Sequence, residues 1–171
     1  MNVLGIAGWK NSGKTRLTER LTRELTRRGL SIATIKHAHH GFDPDQPGTD
    51  SYRHRMAGAG EVLVSSSRRW ALIHENSGPE PGLDQLLAGL SPADLVIVEG
   101  FKGEPHPKIE TRRREAAGPA LSDRDRAVFA IASDAPDQST DLPLFSLDDI
   151  VGIADLVMHR YQLADGPGGR Q

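Results

Sequence analysis

Eight residues near the start of the chain, Gly8-Trp9-Lys10-Asn11-Ser12-Gly13-Lys14-Thr15, leave few folds open. They satisfy G-x-x-x-x-G-K-[ST] at every fixed position and stand between a short apolar run, residues 2–7, and an amphipathic one, residues 14–28. In the second run leucines recur at 17, 21 and 25, while Glu19/Arg23 and Glu24/Arg28 form i,i+4 pairs on the solvent side. That pattern predicts a helix with one apolar stripe, stopped by Gly29. Residues 31–36, with Ile32, Ala33 and Ile35, follow so closely that strand, helix and strand make a right-handed parallel βαβ unit. Glycines let consecutive backbone N–H groups curl round an anion, and the helix beginning near Gly13 turns its positive end to the same oxygens. Lys14 then reaches the β- and γ-phosphates of a nucleotide, as ligand and candidate catalytic cation, and the Thr15 hydroxyl is placed to ligate Mg2+. All eight residues are therefore candidate nucleotide ligands.

The remaining pattern is that of an α/β chain. Residues 37–49, with two prolines, two glycines and three histidines, read as a loop, and Asp50 as the cap of a short helix to about residue 57. Residues 61–65 and 70–74 are β-rich runs separated by Ser66-Ser67-Arg68-Arg69, which predicts an antiparallel edge hairpin. A helix over 83–90 precedes Leu95-Val96-Ile97-Val98, a continuous branched run expected where both faces of a parallel sheet are covered. Short strands at 108–112 and 128–132, an irregular stretch at 113–125 and an amphipathic helix at 148–159 complete the reading. The expectation is a three-layer P-loop NTPase fold, a mainly parallel sheet with helices on both faces and an antiparallel edge hairpin. Residues 1–163 are expected to form a single domain, and the glycine-rich tail 164–171 to be disordered.

A P-loop needs a second carboxylate on the Mg2+ side, at the tip of a neighbouring parallel strand. Glu99, directly after the 95–98 run, fits that place, whereas Asp94 precedes the run and reads as a cap or turn residue at the opposite end. Asp43, Asp45 or Asp50, after the second strand, can join the metal shell through water, which makes Asp50 a catalytic candidate; helix capping is its other reading. His37, His39 and His40 suit either a metal or phosphate contacts. Lys102, Lys108, Arg112, Arg113 and Arg114 can form a patch for a second anion or a solvated surface. Asp134, at the end of the 128–132 run, stands where many GTP-binding proteins read guanine, without the lysine that usually precedes it.

Composition removes several classes. Across 171 residues 21 lysines and arginines face 23 aspartates and glutamates, a net charge of −2, which supplies no global field for a nucleic-acid polymer. No cysteine is present, so thiolate zinc and cysteine nucleophiles are out. Every apolar run is far shorter than the roughly 20 residues a membrane span needs, and the N-terminus has no secretory pattern, so a cytoplasmic protein without a membrane is expected.

Three further groups of residues follow the octet over about the first two thirds of the chain. They are Lys36-His37-Ala38-His39-His40-Gly41-Phe42-Asp43; Pro47-Gly48-Thr49-Asp50-Ser51-Tyr52-Arg53-His54-Arg55 with Ala57-Gly58-Ala59; and Val98-Glu99-Gly100-Phe101-Lys102 followed by Pro107-Lys108-Ile109-Glu110. In combination they resemble the MobB family of molybdopterin-guanine dinucleotide biosynthesis adapter proteins. The resemblance implies binding of GTP with Mg2+, slow GTP hydrolysis, and a homodimer for which an edge-to-edge hairpin is available. It also implies assistance to the guanylyltransferase that joins GMP to molybdopterin, and leaves open whether molybdopterin itself is bound. Two other readings remain compatible with the residues: a P-loop kinase or ligase for a small acid, with Arg112, Arg113 and Arg114 over the phosphates, and a metallochaperone GTPase using the histidine loop.

Overall fold

A computed structural model describes residues 1–38, 42–116, 118–135 and 140–166. In chain order the elements are β1 (Asn2–Gly8), α1 (Lys14–Arg27), β2 (Ile32–Lys36), α2 (Asp50–Met56), β3 (Glu61–Ser65), β4 (Trp70–His74), α3 (Leu83–Ala88), β5 (Leu95–Glu99), β6 (Lys108–Arg112), β7 (Val128–Ser133), β8 (Leu144–Ser146) and α4 (Ile150–Tyr161). The three-residue β8 has no counterpart in the sequence reading, because so short a run carries no periodicity. The chain gathers into two compact units, 1–37 with 89–171 and 38–88, where the sequence reading takes 1–163 as one domain.

In the first unit six strands form one sheet in the order β2-β5-β1-β6-β7-β8, every neighbouring pair parallel. β1 and β2 are thus not adjacent: β5 lies between them, pairing Glu99 with Ile6 on one side and Lys36 on the other. The alternation within β1 sends Leu4 and Ile6 to one face, where they meet Leu17, Leu21 and Leu25 of α1 and Ile153, Ala154 and Val157 of α4. Each of those leucines and isoleucines is essentially without exposure, and full burial of such a side chain stabilises by roughly 1.5–3 kcal/mol. Both helices of this unit therefore share one face. On the other, Lys108 and Glu110 of β6 sit beside Gly5 and Ala7. Lys108 is wholly buried; its Nζ reaches Asp125 at 3.0 Å and donates to the carbonyls of His106, at 3.2 Å, and Glu104. Glu110 accepts from the N–H groups of Leu121 (2.8 Å) and Ser122 (3.0 Å), so the irregular segment after β6 is tied down across the sheet. Beyond α4, the Gly166 N–H donates to Arg28 O at 2.9 Å. Residues 167–171 of the glycine-rich tail lie outside the described residues.

In the second unit the helix cap is Thr49, whose hydroxyl accepts from Tyr52 N; Asp50 is the first helical residue, not the cap. β3 and β4 pair antiparallel in a two-stranded sheet of their own, Leu63 opposite Leu72 and Ser65 opposite Trp70. Arg55 binds Asp43 and Asp45, at 2.8 and 2.9 Å, and also Glu75, which gathers the loop, α2 and the end of the hairpin round one guanidinium.

Candidate functional site

The octet turns from β1 into α1 through backbone shapes that its residues dictate. A methyl group on Gly8 would come within 2.4 Å of the hydroxyls of Ser12 and Thr111, so only glycine allows the loop to pack there. Gly13 caps α1 with φ 99°, in the left-handed region, and no side chain caps that helix. By contrast α2 and α4 begin under the side chains of Thr49 and Asp149. The first turn of α1 also lacks an acidic residue, leaving its N–H groups and positive end for an anion. Asn11 adopts φ 64°, which asparagine tolerates better than most residues.

The loop is held from behind by contacts that no local pattern announces. Ser12 is buried and its hydroxyl shares a 2.7 Å hydrogen bond with that of Thr111, which in turn donates to Ala7 O at 3.2 Å. The Ser12 hydroxyl is therefore spent on packing behind the loop. The Trp9 indole donates to Pro119 O at 2.7 Å, and the Lys102 ammonium lies 4.3 Å from the centre of its ring. Lys10 is exposed.

Lys14 Nζ donates to Trp9 O at 2.8 Å, folding back across the loop. Burial, and then the positive charge of Lys102, hold its pKa below the usual lysine value, with Glu99 pulling the other way. The Thr15 hydroxyl donates to Glu99 Oε1 at 2.8 Å, and Lys36 Nζ lies 3.9 Å from the same oxygen. Thr15 and Glu99 are 84 residues apart in the chain and meet because β5 pairs with β1. A hydroxyl and a carboxylate in contact, beside an uncapped helix start, form an oxygen donor pair suited to Mg2+. A cleft of about 500 Å3 opens here, lined by Asn11, Gly13, Lys14, Thr15, Arg16 and Arg113, and ligand sites of several hundred Å3 are usual.

The other candidates have partners of their own. Asp50 belongs to the second unit, where its largely exposed carboxylate faces Arg53 at 3.6 Å. Asp43 and Asp45, read as metal-shell candidates, are bound to Arg55. His37 stacks on Phe101 with ring centres 4.6 Å apart, and His39 and His40 lie outside the described residues. Among the described residues no three histidines, aspartates or glutamates come together as a metal site. The basic patch after Glu99 divides: Lys108 is core rather than surface, Arg112 bonds Glu110 and Ser122, and Arg113 alone of that set lines the cleft. Asp134 is exposed at the end of β7 and accepts from Arg114 N at 3.1 Å.

The family model for "Molybdopterin guanine dinucleotide synthesis protein B", MobB, matches residues 3–134, a span holding the octet, Glu99, Arg113 and Asp134. The chain belongs to the MobB family. It is 41% identical over 169 residues to the molybdopterin-guanine dinucleotide biosynthesis adapter protein of Escherichia coli K12, covering 96% of this chain and 95% of that protein. The protein of the same description in Haemophilus influenzae is 40% identical over 157 residues, 91% of this chain and 86% of the relative. The crystal structure of a MobB homologue from Bacillus stearothermophilus superposes with a TM-score of 0.73 at 29% identity, covering 95% of this chain and 99% of that one. Family membership and the six-stranded parallel sheet thus agree with the P-loop reading of the fold. No described helix is long and apolar enough to cross a membrane.

Proposed function

We propose that the chain binds Mg2+-GTP at the octet and serves as an adapter in molybdopterin guanine dinucleotide biosynthesis, assisting the guanylyltransferase that joins GMP to molybdopterin. The pathway is supported by the descriptions of the relatives in Escherichia coli and Haemophilus influenzae. The observation that carries the nucleotide site is the uncapped start of α1, on which Lys14 and the Thr15–Glu99 pair converge. Phosphate oxygens accept from the N–H groups of that first turn, and Lys14 exchanges Trp9 O for the β- and γ-oxygens. Mg2+, held by Thr15 and Glu99, offsets the charge of the outer phosphates. Asp134 is the guanine reader of this proposal. A slow GTPase suits an adapter, whose output is the activity of its partner.

The homodimer rests on the hairpin. Leu63, Trp70 and Leu72 share one face of it, with exposures of 59, 66 and 50%, an apolar surface of the kind a second copy covers.

Calorimetric titration with GTP and ATP, with and without Mg2+, tests the nucleotide site. GTP with Mg2+ is expected to bind most tightly, and Lys14→Ala to lose triphosphate binding while melting at an unchanged temperature. Retained GTP affinity in that variant overturns the proposal.

A further inference from the structure

Arg113 is the first residue after β6, and β6 flanks β1 on the side opposite β5. The octet therefore lies between two side chains delivered by its neighbouring strands, Glu99 from one side and Arg113 from the other. Arg113 is half-buried and lines the cleft; a methyl group on Gly13 would lie 3.2 Å from its Nε. Its guanidinium makes no hydrogen bond or ion pair with any described residue. The other half-buried arginines differ: Arg20 is bound to Asp148, Arg28 to Glu24 and Asp155, Arg112 to Glu110, and Arg55 to its three carboxylates. The acids near Arg113 are already engaged, Glu110 by Arg112 and two backbone N–H groups, and Asp134 by the N–H of Arg114.

The backbone round Arg113 is fixed although its side chain pairs with no described residue. Its carbonyl accepts from Ala116 N at 3.0 Å, Arg114 N donates to Asp134, and Pro119 O receives the Trp9 indole. A partly desolvated cation held in place without a counter-ion is a site for an anion, and the planar guanidinium fork matches a phosphate with two parallel hydrogen bonds.

Resting on the P-loop reading above, we propose that Arg113 is a nucleotide-binding residue that grips the phosphate nearest the nucleoside. The Thr15–Glu99 pair marks the metal side of the loop, and with it the outer two phosphates. Arg113 approaches from the opposite flank, so its contact belongs to the inner phosphate, common to di- and triphosphates and independent of Mg2+. Asp134 acquires a second task here, since its hold on Arg114 N positions the arginine.

Calorimetric titration of the wild-type chain, Arg113→Ala and Arg113→Lys with GDP and GTP, each with and without Mg2+, tests this. Arg113→Ala is expected to weaken GDP and GTP by the same factor, roughly tenfold or more as for loss of a charge-assisted hydrogen bond, whether or not Mg2+ is present. Arg113→Lys, which keeps the charge and loses the fork, restores part of the affinity, and it carries the test should the alanine variant fail to fold. Wild-type affinity in both variants overturns the proposal while leaving the P-loop reading intact. Loss confined to GTP overturns the assignment to the inner phosphate. A wild-type chain that binds neither nucleotide sinks the P-loop reading, and this proposal with it.

Discussion

The first unit carries its site on aliphatic side chains without exposure, Leu4, Ile6, Leu21, Ile97 and Ile153 among them, whereas the second gathers round one guanidinium. Among the described residues of 38–88, Val62 and Leu83 are the buried hydrophobic side chains, and Leu63, Trp70 and Leu72 stand in solvent. Close-packed apolar contacts resist distortion, so the octet is presented on a platform whose shape hardly responds to salt. Ion pairs weaken with salt and vanish with acid, so the second unit is the part of the molecule that conditions can loosen.

The largest expected effect separates the two directly. Leu21→Ala removes a fully buried side chain from the α1 stripe and should lower the unfolding free energy by about 2–5 kcal/mol in urea denaturation. A loss below about 1 kcal/mol, the level of a surface change, breaks the contrast. Arg55→Ala should instead act locally: amide exchange in 42–75 speeds up, while the protection of β1 and β5 is retained. Equal loss in both units would mean that they open together.

Acid sharpens the comparison further. The Arg55 guanidinium holds the Asp43 carboxyl below its ordinary value of 3.8. The support Asp43 gives the second unit is thus complete above about pH 3.8 and lost as pH falls through the lower folded value. Its loss should appear as faster exchange in 42–75 in strong acid. The first unit has a milder window, set by His106, which lies against Gly5 and Lys108. Burial, then the charge of Lys108, opposed by Asp125, pushes the His106 pKa down from 6.5 to about 4. The unfolded chain takes up that proton first, so stability is full above pH 6.5 and declines as pH falls toward about 4. His106→Gln, which cannot protonate, should flatten that decline in a pH series of melting temperatures.

The smallest effect concerns the metal side of the octet. Glu99→Gln keeps the shape and a hydrogen-bond partner for Thr15, and should reduce GTP affinity in Mg2+ more than without it. Equal losses in calorimetry would make the Thr15–Glu99 bond structural only.

Elements written in short-range patterns were legible. The leucines of α1, the β5 run and the hairpin at 61–65 and 70–74 stand where periodicity predicts them. Side chains whose surroundings come from distant segments were not. Lys108 reads as a surface cation and is wholly buried, because Asp125 and two carbonyls satisfy its ammonium group. The Glu24–Arg28 pair reads as solvated, yet its side chains are only 13 and 14% exposed beside Asp155 of α4. Asp50 looks like a cap, but Thr49 takes that place because its hydroxyl reaches Tyr52 N.

What the sequence determined by itself is the strand, turn and helix that carry the octet. Glycine's access to φ 99° at Gly13 and the leucine stripe of α1 are properties of residues a few positions apart. Tertiary structure decided what surrounds it: Glu99 against Thr15, Thr111 behind Ser12, and Arg113 beside Gly13. Those neighbours depend on β5 and β6 choosing the two edges of β1, a choice made by burying whole sheet faces, which no local pattern encodes.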